Sequence, residues 1–224
     1  MKTEEYMKFD ISGNPAYGDL TVALEPGESF WSEGGAMSRM SSGLDLNTQL
    51  PAGLLKSVLR RLVGGESLFV SEYTATEMAY VSLTPAMSGS VLHREMRGDK
   101  FMLTAGAFLA CTPDLELNTR FGGLRSFFSG EGAFMIEVAG QGDLFFNGYG
   151  GVVEKQIEGE IIVDTGHVVA FDPSLSYQIS GMGGLKQTLF SGEGLVMRFS
   201  GSGKLYLQTR HMGAMAGWLR GYCR

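Results

Sequence analysis

Glu66, Glu131 and Glu193 are the residues whose type and spacing first invite a chemical reading. Each sits among glycines, in Gly64-Gly65-Glu66-Ser67, Ser129-Gly130-Glu131-Gly132 and Ser191-Gly192-Glu193-Gly194. Gly65 and Gly130 are 65 residues apart, and Gly130 and Gly192 are 62 apart. If the units that carry them close about an axis, the three carboxylates could converge on a hard cation, which takes oxygen ligands. A calcium loop, however, draws on clustered Asp and Asn side chains, and none accompany these glutamates. The expected role is therefore local: each carboxylate satisfies backbone donors in its own tight turn or pairs with a nearby cation. Gly65, Glu66, Gly130, Glu131, Gly132, Gly192, Glu193 and Gly194 are read as a structural repeat motif, with no metal or other cofactor expected.

Other reactive side chains point the same way. His93, His167 and His211 are far apart, and none stands in a metal-binding spacing. His167 follows Asp164 closely in Val163-Asp164-Thr165-Gly166-His167, which suggests either a base with its orienter or a turn histidine held by local bonds. No serine lies in a nucleophile elbow, and Cys111 has no basic activator near it in sequence. The Gly-x-Gly turns invite a phosphate-loop reading, but such loops lead into a helix N-terminus, and here each leads into an apolar, strand-like run. No catalytic residue is assigned.

Charge narrows the partners. The chain carries a net charge of −6, and its one local basic cluster is Lys56, Arg60 and Arg61. Nucleic-acid binders show a basic patch or stripe, so nucleic acid is not expected as a partner. The cluster flanks Leu55, Leu59 and Leu62, spaced i, i+4 and i+7 on an amphipathic helix over Pro51 to Val63. Those cations are candidates for a membrane or partner contact, against the plainer reading of a helix packed over the end of a sheet. Two cysteines make no disulfide framework, and the first residues lack the apolar core of a signal peptide. The chain reads as cytoplasmic, with free thiols.

The elements that must position these residues are strands. Apolar residues make up 44% of the 224, and the 33 glycines punctuate short alternating runs with no collagen-like period. Phe101 to Thr104, Ala107 to Cys111, Val152 to Ile157 and His167 to Phe171 each read as separate strands. Ala133 to Val138 and Leu144 to Phe146 read as a hairpin joined by Gly140-Gln141-Gly142-Asp143. Leu195 to Phe199 and Leu205 to Gln208 read as its repeat around Ser200-Gly201-Ser202-Gly203. A second landmark recurs upstream, Gly43-Leu44-Asp45-Leu46-Asn47-Thr48 matching Asp114-Leu115-Glu116-Leu117-Asn118-Thr119. Two landmarks recurring in one order describe one β unit used three times. The expectation is an all-β single domain of three related units in pseudo-three-fold arrangement, a short double-stranded β-helix or β-prism. The repeats fall at about 6–85, 86–150 and 151–210, with one short amphipathic helix near 52–63. A short tail follows, with a terminal helix near Met215 to Leu219.

The order of several motifs carries a resemblance. Gly122-Gly123-Leu124-Arg125, Ser129-Gly130-Glu131-Gly132, Val163-Asp164-Thr165-Gly166-His167, Ala170-Phe171, Gly183-Gly184-Leu185-Lys186, Ser191-Gly192-Glu193-Gly194 and Leu207-Gln208-Thr209-Arg210 succeed one another along the chain. In this order the chain resembles the altered-inheritance-of-mitochondria β-protein family, catalogued in bacteria as a domain of unknown function. The resemblance runs from about Tyr6 to Arg210. It implies a β-rich fold similar to that of the trp RNA-binding attenuation protein, whose subunits assemble into rings, and hence internal pseudo-symmetry and homo-oligomers. Mitochondrial relatives are associated with the inner membrane and its organisation. The family supplies no agreed catalytic residues, and RNA binding does not transfer with a fold.

The functional expectation is a non-enzymatic scaffold or binding protein acting through homo-oligomerisation, peripheral to a membrane or bound to a protein partner. The alternatives are a small-ligand module with a cleft between β units, and an enzyme whose site the sequence does not reveal.

Overall fold

The computed structural model describes residues 7–49, 70–121, 134–181 and 195–223. Those residues form an all-β fold of fifteen strands and one α-helix, α1 (Met212–Arg220). After β1 (Lys8–Ser12), the strands fall into three sets by their pairing. The first set is β2 (Asp19–Leu24), β3 (Ser29–Glu33), β4 (Met37–Met40), β5 (Leu44–Gln49), β6 (Val70–Ala75) and β7 (Ala79–Leu83). The second is β8 (Gly89–Thr104), β9 (Phe108–Cys111), β10 (Leu115–Phe121) and β11 (Phe134–Tyr149). The third is β12 (Val152–Asp164), β13 (Val168–Phe171), β14 (Ser176–Gly181) and β15 (Leu195–Gln208).

One pairing scheme recurs. In the second set, β11 pairs along its length with β8, with β10 on its first half and with β9 on its second. In the third set, β15 takes β12, β14 and β13 in the same way. In the first, β2 and β3 together stand where β8 stands, and β6 and β7 where β11 stands. Even the bulge recurs. Phe108 and Ala110 lie opposite Phe146 and Phe145, Val168 and Ala170 opposite Leu207 and Tyr206, Met37 and Arg39 opposite Leu83 and Ser82. Neighbouring sets join sideways, β9 pairing antiparallel with β3 and β13 with β8. The result is one sheet in the order β12-β15-β13-β8-β11-β9-β3-β6-β5 and a four-stranded sheet β1-β2-β7-β4.

Several runs that read as separate strands are one strand. Gly89–Thr104, Phe134–Tyr149, Val152–Asp164 and Leu195–Gln208 are each continuous, so the Gly-x-Gly segments are mid-strand and not hairpin turns. The reason is local. Gly140 and Gly201 have φ of 116° and 123°, a region closed to most side chains, and they bend the strand without ending its pairing. The β9–β10 and β13–β14 turns cross directly over them. A Cβ on Gly140 would stand 2.7 Å from the Asp114 carbonyl oxygen, and one on Gly201 3.0 Å from that of Ser174. Glycine serves the bend and the crossing together.

The apolar interior divides into three contiguous clusters, one for each set, with the second set between the other two. The first-set cluster takes in Val91, Leu109, Ala110 and Phe145 of the second set, and the third-set cluster takes in Met102 and Met135. Aromatic contacts stitch the boundaries. Phe101, Phe146 and Tyr206 meet with ring centroids 5.6 Å apart, Tyr206 coming from β15. Phe145 meets Phe30 at 5.9 Å and Phe9 at 4.9 Å, both edge to face. The amphipathic helix expected over Pro51 to Val63 lies outside the described residues. Helix α1 begins three residues earlier than its sequence pattern suggested, directly after His211.

Phe145 is fully buried and spans two sets. Phe145→Ala is expected to cost about 3–5 kcal/mol, as buried Phe truncations do, read as a lower urea midpoint at unchanged m-value.

Candidate functional site

The glycine–glutamate repeat motif and the basic cluster read from the sequence lie outside the described residues. This holds for Lys56, Arg60 and Arg61, and for Gly65, Glu66, Gly130, Glu131, Gly132, Gly192, Glu193 and Gly194. What the described strands add is topological context: the stretches carrying them connect β5 to β6, β10 to β11 and β14 to β15. The sequence repeat thus recurs at one place in the pairing scheme.

Elsewhere a cleft of about 750 Å³ lies between the first and second sets. The turn before β3 contributes Glu28, β3 contributes Ser29, β8 contributes Glu95, the β9–β10 turn contributes Thr112 and Asp114, and β11 contributes Asp143. Behind its wall lies a histidine–carboxylate pair, with His93 Nε2 2.6 Å from Asp143 Oδ1. Asp143 is fixed by its turn: its N–H donates to Thr112 Oγ1 and its carbonyl accepts from the Thr112 N–H. The imidazole is held between rings, 4.5 Å from Phe9 and 5.1 Å from Phe145. A hydrogen bond and close coulombic contact with Arg97 hold the Glu95 carboxyl below its usual range. The cleft therefore presents carboxylates to solvent and suits a cationic guest. Among the described residues, no three His, Cys, Asp or Glu side chains are placed to hold a metal ion.

The Val163-Asp164-Thr165-Gly166-His167 stretch forms a 3₁₀ turn between β12 and β13. Asp164 accepts from the Gly166 N–H at 2.8 Å, while His167 Nδ1 lies 2.7 Å from the Gln208 carbonyl. Gln208 closes the arrangement, its Nε2 donating to the Gly166 carbonyl and its Oε1 accepting from the Tyr149 N–H. Asp164 thus orients backbone, and His167 is a turn histidine tied to β15. The His211 ring packs so closely on Gly166 that a Cβ there would overlap it. This seats the start of α1, and the Tyr149 hydroxyl donates to the Met215 sulfur at 2.9 Å. Beyond Met215 the helix has no described support. Trp218 is 65% exposed and Tyr222 72%, their rings 4.9 Å apart.

The pKa values of Glu33 and Cys111 are strongly raised. Burial pushes the Glu33 carboxyl at the end of β3 up to about 7. Burial likewise pushes the Cys111 thiol far up, so it behaves as a core residue and not a nucleophile. The cleft was hidden from sequence reasoning because His93 and Asp143 are distant in the chain. Only the register of β8 against β11, His93 opposite Phe145 and Glu95 opposite Asp143, brings them together.

A family model described as Mitochondrial biogenesis AIM24 matches residues 9–210. The chain is 28% identical over 225 residues to the uncharacterized protein M6_Spy0233 of Streptococcus pyogenes serotype M6, a match covering 96% of this chain and 91% of that protein. It also matches the crystal structure of protein SPYM3_0169 from Streptococcus pyogenes, with a TM-score of 0.82 and 28% identity over 96% of this chain and 99% of that one.

Glu33 generates a pH prediction. With its carboxyl raised from 4.5 to about 7, the fold favours the protonated form, so its contribution is fully present below pH 4.5 and is lost as pH rises through about 7. Glu33→Gln should raise the urea midpoint at about pH 8 and leave it unchanged at about pH 4.

Proposed function

The chain belongs to the mitochondrial biogenesis AIM24 family, and from that premise we propose that it works as a self-associating β scaffold at a membrane surface, without a reaction of its own. The observation that carries this reading is where its uncovered apolar side chains lie. Strands β9 and β13 are buried at every position, whereas β4, their counterpart in the first set, is exposed at every position. It nonetheless carries Met37 and Met40. Another uncovered group is Met212, Trp218, Leu219 and Tyr222, on α1 and just after it; Tyr17 and Met78 are also exposed elsewhere. Contiguous exposed apolar groups of this kind mark contact surfaces.

The two surfaces suit different partners. A sheet edge accepts another strand through backbone hydrogen bonds. Helix α1 has no acidic residue, and Arg220 is its one charged side chain, in a chain of net charge −6. At about 1.5 Å per residue the helix is far too short to span a bilayer, and no described helix is long and apolar enough to do so. Lying in the headgroup region, with Trp218 and Tyr222 at the boundary, is the geometry its composition supports. Cationic attraction adds about 1 kcal/mol per residue at an anionic surface, so assembly into a multivalent particle would be needed for firm attachment.

A second reading rests on the acidic cleft between the first and second sets, which fits a small organic cation. Under it, spermidine should raise the melting temperature of the wild type but not of Glu95→Gln/Asp114→Asn.

The scaffold reading predicts a concentration-dependent oligomer in light scattering after gel filtration. It also predicts co-flotation with phosphatidylserine-containing vesicles and little with phosphatidylcholine alone. Trp218→Ser/Tyr222→Ser should abolish flotation while leaving the oligomer intact. A monomer at every concentration, or equal flotation of the double variant, would defeat it.

A further inference from the structure

The two joints between strand sets follow one rule, and the rule leaves two ends over. At the first joint, Ala110 lies opposite Ser32 and Cys111 opposite Trp31. At the second, Ala170 lies opposite Leu103 and Phe171 opposite Met102. The receiving residues occupy equivalent places. Ser32, Leu103 and Val163 lie opposite Ser71, Ile136 and Met197. Trp31, Met102 and Ile162 lie opposite Glu72, Glu137 and Arg198. Ile162 and Val163 on β12 are therefore a third receiving position, and β4, with Arg39 and Met40 where the other sets have Ala110-Cys111 and Ala170-Phe171, is a third inserting strand. Among the described residues neither has a strand on its outer side.

We infer that copies of this chain join head to tail by antiparallel pairing of β4 of one copy with the outer edge of β12 of the next, Met40 opposite Ile162 and Arg39 opposite Val163. This rests on the self-association proposed above and specifies its geometry.

Exposure agrees with a joint left unmade. Where the joint exists, Met102 is 7% exposed; where it does not, its counterpart Ile162 is 48% exposed, while Val163, the counterpart of Leu103, is already buried. Met37 and Met40 are 39% and 40% exposed, in the same rows as the buried Leu83 and Val81. A strand laid beside them would complete rows that the chain begins. Charge also matches: Arg39 is the only charged residue of β4, while the second half of β12 carries Glu158, Glu160 and Asp164 and no cation. Beside Ile162 lies a hollow of about 190 Å³, lined among others by Ile161, Tyr177 and Phe199, which a methionine side chain would help to fill.

The difference between β4 and its counterparts has a physical meaning. Phe108–Cys111 and Val168–Phe171 seal joints made once, during folding. Met-Ser-Arg-Met has the methionine and arginine enrichment of interfaces between folded partners. Arg39, held 2.6 Å from Asp19, keeps the edge soluble before assembly. Because the two surfaces differ, the contact is heterologous, and successive copies either close into a ring or extend as a filament.

Disulfide trapping tests the register, in a Cys223→Ser background so that the exposed native thiol does not interfere. Directly opposed antiparallel residues have Cα atoms about 4.5–5.5 Å apart, within disulfide reach. Met40→Cys/Ile162→Cys should oxidise into covalent multimers at least tenfold faster than Met40→Cys/Glu158→Cys, whose second thiol is four residues out of register. Equal rates for the two pairs, in a protein that still oligomerises by light scattering, would overturn the register and leave the scaffold reading standing. Self-linking of Met40→Cys alone or Ile162→Cys alone would show a symmetric contact and likewise overturn it. A wild type that stays monomeric removes both readings.

Discussion

Backbone hydrogen bonding along β11 and β15 is the constraint the rest of the structure obeys. Each of these strands is paired on both sides along much of its length, and a buried strand edge without partners would leave donors and acceptors costing about 1–3 kcal/mol each. Satisfying them takes three other strands per set, and those strands can reach both halves only if the long strand bends. The bends fall at Gly140 and Gly201, where the β9–β10 and β13–β14 turns cross the backbone too closely for a side chain. Position, pairing and burial of the remaining strands follow from that one geometry.

Much of this was legible in the chain. The alternation of Leu44-Asp45-Leu46-Asn47 and of Leu115-Glu116-Leu117-Asn118 falls on β5 and β10, which hold corresponding places in the pairing. Continuity was not legible. Arg97 to Lys100 and Ser200 to Gly203 look like turns because they are polar and glycine-bearing, yet they are the middles of long paired ribbons. Local composition reports exposure; it does not report whether a partner strand runs alongside.

The cleft was illegible for a related reason. Glu28, Glu95, Asp114 and Asp143 are scattered over the first two sets, and only register collects them. By contrast, the terminal helix was visible as an apolar stretch, but its seating was not. That depends on Gly166 offering bare backbone to the His211 ring and on Tyr149 meeting Met215. The family model itself spans residues 9–210.

The direction of the sideways joints also bears on how the chain is made. Each joint is contributed by the later set: β9 lands on β3, and β13 lands on β8. A nascent chain leaving the ribosome N-terminus first finds every docking edge already finished when the strand that needs it arrives. Contacts within a set are closed over a few tens of residues, so loop-closure entropy stays modest at each stage. Synthesis and folding can advance in step, and no early segment has to wait, half-paired, for the last one to be translated.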